Sequence, residues 1–350
     1  MMRLSFLIGL LSATLLCAGE IHASEPPPDF VLTWGSFGSG PGQFSSAWGV
    51  ATDAHGNVYI ADHDNKRIQK FTPGGSYLTQ WGSSGNGDGQ FIQPVAVTVD
   101  RDGSVYVGDA IRIQKFTADG RFLARWGSEE DPLGDIWGLA TDDSNFVYAT
   151  DRGGRILKFT SDGALITTWG SPGSGPGEFS NPIGIGIGPG GVVFVADSYN
   201  CRIQKFTSTG TLLGYWGSRG SGDDQFSGRW NLWLAVDPSG NIYVSDSGAD
   251  RVQKFTEDGR LLSKWGEQGD GPGEFHSPCG VAIDLLGQIY VMDIPNERVQ
   301  KFGYTESTPV RWSTWGALKA RYRYQPPKTL VRSPLGVLQD ETNSSRQFPS

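Results

Sequence analysis

Asn57-Val58-Tyr59-Ile60-Ala61-Asp62-His63-Asp64-Asn65-Lys66-Arg67-Ile68-Gln69-Lys70-Phe71 is the stretch whose reading decides the fold. A β-branched and aromatic run ends on an aspartate, a short polar gap follows, and a second run opens on arginine, which is the pattern of two strands joined by a turn. The phrase returns as Asp109…Arg112 to Phe116, Asp151…Arg155 to Phe159, Asp197…Arg202 to Phe206, Asp246…Arg251 to Phe255 and Asp293…Arg298 to Phe302. A Trp-Gly pair travels with it, at Trp34, Trp81, Trp126, Trp169, Trp216 and Trp265, spaced 43 to 49 residues apart. That is the period of a four-stranded propeller blade and not of a helical repeat.

Each unit holds four short strands, a to d. In the first, Gly49 to Asp53 is followed by Val58 to Asp62, Arg67 to Phe71 and Tyr77 to Trp81, with Gly, Asn, Asp and Pro at the turns between them. One blade cannot cover both faces of its sheet, so six stack in a ring that leaves no open end. The expected fold is therefore all-β, a six-bladed propeller of four-stranded antiparallel blades over residues 25–302, closed by a terminal strand. Asp29-Phe30-Val31-Leu32-Thr33-Trp34 stands before any strand a and fits as the missing strand d of the last blade; Val310 to Trp315 has the same ending and is its rival.

The phrases Asn-Val-Tyr-Ile-Ala-Asp-x-x-Asn-x-Arg-Ile-Gln-Lys-Phe and Gly-Ser-Gly-Pro-Gly-Gln-Phe resemble the NHL-repeat family, over residues 30 to about 302. The resemblance implies a six-bladed propeller and a range of roles, from RNA- or protein-binding modules to one lyase class and receptor-like sensors. Fold alone does not choose among them.

Residues 1–24 pair Arg3 with an apolar run from Leu4 to Cys17 and small residues at Ala18, Gly19 and Ala23, the layout of a secretory signal peptide. Its apolar run is too short to span a bilayer, so a secreted or periplasmic, monomeric protein is expected. Net charge is −8. Residues 303–350 hold seven Lys or Arg against three acids, which leaves residues 25–302 at −12. An acidic propeller repels phosphate backbones, so nucleic acid is an unfavourable partner. The basic, aromatic tail, with Arg311, Lys319, Arg321 and Arg323, is a candidate contact for an anionic envelope surface or an acidic partner. Cys201 and Cys279 lie two blades apart, and two separate thiols is the simpler reading than a bridge.

Features present in every blade mark the scaffold. The six Asp–Arg pairs are expected to pin the b–c hairpins, and the six repeat tryptophans to fill the space between blades. Asp53, Asp100, Asp142, Asp237 and Asp284 are expected to cap the turn after strand a. Positions where the blades differ are more informative. Counting five residues back from those aspartates, and from Gly188 at the same place in the fourth blade, gives Trp48, Val95, Trp137, Ile183, Leu232 and Cys279, at the entry to the innermost strand on the face bearing the long b-to-c and d-to-a loops. Trp230, Trp233 and His276 fall nearby. Trp48, Trp137, Trp230, Trp233 and His276 are thus the candidate ligand residues, a stacking rim for a protein, peptide or glycan; the alternative is that the rings only plug the channel.

Within the resembled family the lyase class holds zinc with three histidines. Beyond residue 24 this chain has only His55, His63 and His276, and His55 falls on the opposite face from the other two. No nucleophile elbow or phosphate loop is present. The expectation leans to a non-catalytic binding module without a cofactor; a metal-dependent lyase or hydrolase is the alternative, and an RNA-binding module the third reading.

Overall fold

The computed structural model describes residues 25–128, 133–228 and 231–304. It contains six four-stranded antiparallel sheets. The innermost strands, a, are Ala47–Thr52, Pro94–Val99, Ile136–Thr141, Pro182–Ile187, Leu232–Val236 and Pro278–Ile283. In blade 1 the chain then steps outward through Val58–Asp62 and Arg67–Phe71 to Tyr77–Trp81, and blades 2 to 5 repeat the order. The strand-b runs are buried along their whole length, because each lies between two neighbouring blades as well as between two strands of its own.

Blade 6 takes strands from both ends of the propeller. Ile289–Asp293 and Arg298–Gly303 form b and c, and Asp29–Trp34 adds as d in antiparallel register, Phe30 opposite Phe302 and Trp34 opposite Val299. The N-terminal strand therefore closes the ring; the rival segment from Val310, like the tail residues Arg311, Lys319, Arg321 and Arg323 and the leader 1–24, lies outside the described residues.

The repeat tryptophans glue each blade to the next. Trp34 on strand d of blade 6 lies against the c–d turn of blade 1, where a Cβ on Gly75 would come within 2.8 Å of the indole. Gly75 also has a φ of 79°, so the turn needs glycine both for its backbone and for the ring that covers it. Trp81, Trp126, Trp169 and Trp216 repeat this contact at Gly120, Gly163, Gly210 and Gly259. Burying rings of this size is worth several kcal/mol each, at about 25 cal/mol per Å² over roughly 150–250 Å². The strand-c lysines reach across in the same direction, with Lys70 Nζ on the Ala118 carbonyl at 3.1 Å and Lys301 Nζ on Pro73 at 3.0 Å. Blade 6 has no c–d turn, since its two outer strands come from opposite ends of the chain. There Lys254 of blade 5 meets Glu25 and Tyr304 instead, and Trp265 packs on Phe302 at 5.8 Å.

Candidate functional site

Two sets of side chains meet on the long-loop face. The outer set is the clamp formed by the repeat itself. Arg67 Nε donates to Asp62 Oδ2 at 2.7 Å, and its two other nitrogens bond the carbonyls of Ser39, Gly40 and Gln43 in the preceding d-to-a loop. Gln69 accepts from Gly42 N–H and donates to the Gln43 carbonyl. The Gly-rich loop is thus held by a buried guanidinium and a buried amide, the charge-assisted pairing that suits arginine. Asp197–Arg202 repeats it at 2.7 Å and Asp293–Arg298 at 2.9 Å; Asp246–Arg251 is looser at 3.6 Å, with Ser227 taking up the carboxylate. Burial pushes the Asp197 and Asp246 carboxyls up, against the pull of their donors. The strand-a aspartates cap as expected: Asp53 Oδ1 accepts from His55 and Asn57 N–H at 2.9 Å, and Oδ2 from the Tyr59 hydroxyl.

The inner set stands at the entry ends of the strands a; past it the channel holds a space of about 250 Å³ lined by the later residues of strand a in all six blades, with Trp233 but neither Trp48 nor Trp137 in its wall. In blades 1, 2, 3, 4 and 6 the register slips between the first residue of strand a and its middle, a β-bulge. Trp48, Val95, Trp137, Ile183 and Cys279 sit in those bulges. Blade 5 has one residue fewer and no bulge: Leu232 pairs with Asp246 just as Ala47 pairs with Asp62, and Trp233 pairs with Ser245. The count that placed Leu232 beside Trp48 is therefore corrected. The residue of blade 5 that meets the others is Trp233.

Around the ring large and small side chains alternate, with indoles from blades 1, 3 and 5 and Val95, Ile183 and Cys279 from blades 2, 4 and 6, all in one cluster. Trp48 meets Trp137 edge to face at 5.5 Å and Trp233 at 6.5 Å. Three indoles fit in the channel because their neighbours are small. Trp233 is 6% exposed and lines the channel space, while Trp48 and Trp137 are partly exposed. Trp230 lies outside the described residues. His276 turns to the outer loop, 3.1 Å from Gln268 and 3.6 Å from Asp270, so the structure does not bring it to the indoles.

Sequence reading missed the residue after each strand-b aspartate, which is His63, Ala110, Arg152, Ser198, Ser247 and Ile294 in turn. It takes five identities over the six blades, serine alone occurring twice, while the residues around it repeat, and that contrast was the available signal. Arg152 lays its guanidinium 4.5 Å from the Trp137 ring centre, and its Nε donates to Asn181 Oδ1 at 2.7 Å. Ser198 Oγ accepts from Leu232 N–H, and the Ser247 hydroxyl lies within hydrogen-bond distance of the carbonyls of Asn231 and Pro278, with one proton to give to either. Glu297, in the b-to-c loop of blade 6, accepts from Ser46 N–H at 2.7 Å, two residues before Trp48; its other carboxylate oxygen is buried without a partner among the described residues. Burial pushes its pKa up. Cys279 Sγ donates to the Trp48 carbonyl at 3.3 Å, and Cys201 and Cys279 are both free thiols.

Among the described residues no group of three or more His, Cys, Asp or Glu side chains is placed to hold a metal ion. His55 stands in an a–b turn beside Asp53, and His63 in the b-to-c loop beside Asp64. No helix among them is long and apolar enough to cross a membrane.

Comparison with known proteins follows the repeats. The family described as NHL repeat matches residues 44–71 and 179–206, and one described as a 6-bladed beta-propeller matches residues 234–314. Over 47 residues the chain is 47% identical to the E3 ubiquitin-protein ligase TRIM71 of Rattus norvegicus, and over 58 residues 40% identical to Protein lin-41 of Caenorhabditis elegans. Those matches take up 13% and 17% of this chain but only 6% and 5% of the relatives. Among solved structures, a streptogramin B lyase aligns with a TM-score of 0.54 at 14% identity, covering 75% of this chain and 94% of that one. A gluconolactonase from Xanthomonas campestris aligns at 0.55 and 14%, covering 81% and 99%. At such identities the likeness is one of fold. The chain thus carries NHL repeats, matched at two of its six blades, and folds as a six-bladed β-propeller.

Proposed function

We propose that the chain is an exported, monomeric binding module that takes a protein, peptide or glycan on its long-loop face, at the corner formed by Trp48 and Trp137 over Trp233. The observation that carries this reading is that the three indoles, 89 and 96 residues apart in sequence, converge at positions where the blades differ, while every repeated feature is spent on holding blades together. Large, stiff aromatic surface with a polar border is what recognition sites use.

The test is a glycan array and a pull-down with the protein lacking residues 1–24, beside Trp48→Ala/Trp137→Ala. A ligand retained by the wild type and lost by the double variant is expected. Unchanged ligand binding in the variant would end the idea, with a thermal melt run alongside to separate lost binding from lost folding. The lyase or hydrolase reading ranks behind, because the three histidines beyond residue 24 do not converge; stoichiometric zinc in the purified protein would restore it.

A further inference from the structure

The mouth already shows what chemistry its indoles accept. Arg152 occupies a position that the repeat leaves free, and its guanidinium lies over the Trp137 ring at 4.5 Å. The nearest carboxylate that the structure gives it, on Asp135, is 3.6 Å away, beyond hydrogen-bond distance, and both side chains are partly exposed. A cation over an indole is attracted by the ring's negative face, and the attraction grows as water is excluded. Trp48 stands at 79° to Trp137, and both rings keep part of their surface exposed.

The surrounding charge has the matching sign. Among the described residues, the b-to-c and d-to-a loops carry eleven acids against three bases, Lys66, Arg152 and Arg219. Glu297 is 9% exposed and holds the strand that bears Trp48 through its bond to Ser46. An anionic ligand would enter against this field, and a neutral one would ignore it.

We propose that the occupant of the mouth is a basic segment of a partner protein, one Arg or Lys side chain of which stacks in the Trp48–Trp137 corner. Charge complementarity and the resident guanidinium argue for this occupant over a neutral sugar. Arg152 is then a competitor in place: it holds one indole face and adds a positive charge where the partner's charge must go. The inference rests on the long-loop face being the binding face, and it narrows the partner to a cation.

Hexa-arginine and hexa-citrulline, a neutral isostere, serve as probes, titrated into wild type, Trp48→Ala and Arg152→Gln with folding checked by circular dichroism. Wild type is expected to bind hexa-arginine at least tenfold more tightly than hexa-citrulline. Trp48→Ala, which leaves the net charge unchanged, is expected to bind it about three- to thirtyfold more weakly, the range of one cation–indole contact. Arg152→Gln is expected to bind it more tightly than wild type. Equal binding of the two probes, or undiminished binding by a folded Trp48→Ala, would overturn the inference, the second by showing general attraction to an acidic surface. Array ligands that depend on Trp48 and Trp137 while hexa-arginine does not would overturn the cation and leave the long-loop face standing. Loss of both dependences would remove both readings.

Discussion

The clamp and the mouth lie a few residues apart on the same loops, and they are built on opposite principles. The clamp recurs six times: an Asp, an Arg three to five residues on and an amide or aliphatic residue two beyond it, with the carboxylate buried against the guanidinium in every blade. The mouth varies from blade to blade, with three indoles, a valine, an isoleucine and a cysteine. Repetition in a ring marks what each junction needs in order to exist, because every junction faces the same packing problem. Variation marks what the ring presents at its axis, where six side chains of four kinds share one space. An arginine of the first kind is scaffold; Arg152, of the second kind, is not.

The sharpest break in that contrast is Asp197→Ala. Its carboxylate is fully buried and takes bonds from Ser180 N–H, Asn200, Arg202 and Gln204. Removing it strands a guanidinium in the interior, and a loss of about 3–5 kcal/mol is expected in urea unfolding, with ligand affinity of the folded fraction unchanged. If affinity fell in step with stability, clamp and mouth would not be separable.

Gly138→Ala tests the boundary between the two. A Cβ there would collide with the Ile183 carbonyl of the next inner strand, so a loss of about 1–3 kcal/mol is expected from overpacking against backbone. Because Gly138 follows Trp137 directly, the indole should also move, seen as a change in near-ultraviolet dichroism. Blade 5 accepts Trp233 at the corresponding place because it lacks the bulge that brings the neighbours close.

The smallest effect is a pH dependence. Burial raises the Glu297 pKa, so its ionised form costs the fold stability. That cost is fully present above the folded pKa and is relieved as pH falls through it toward the ordinary glutamate range. Glu297→Gln keeps an acceptor for Ser46 and removes the charge. It should be more stable than wild type at neutral pH, and the difference in melting temperature should shrink on acidification. A gap that widened instead would mean that the carboxylate charge is favourable where it sits.

Reading along the chain recovered the strands, the blade number, the hairpin-pinning role of Asp62–Arg67 and its copies, and the turn caps at Asp53 and its copies. All of these depend on residues within one repeat, where hydrophobic alternation and turn chemistry act over a few positions. It also favoured Asp29–Trp34 as the closing strand, since a strand d ahead of any strand a has only one place to go.

The mouth was legible only in part. Trp48 and Trp137 stood out by difference, but the displacement of Leu232 by Trp233 follows from a missing bulge, and a bulge is a register between strands, which spacing along one strand does not encode. His276 shared a loop class with the candidates and yet points outward. Sequence by itself thus determined that six like units exist and how each folds. The meeting of Trp48, Trp137, Trp233 and Arg152 was decided by ring closure, which brings alternate blades to a common axis and sets large rings between small neighbours.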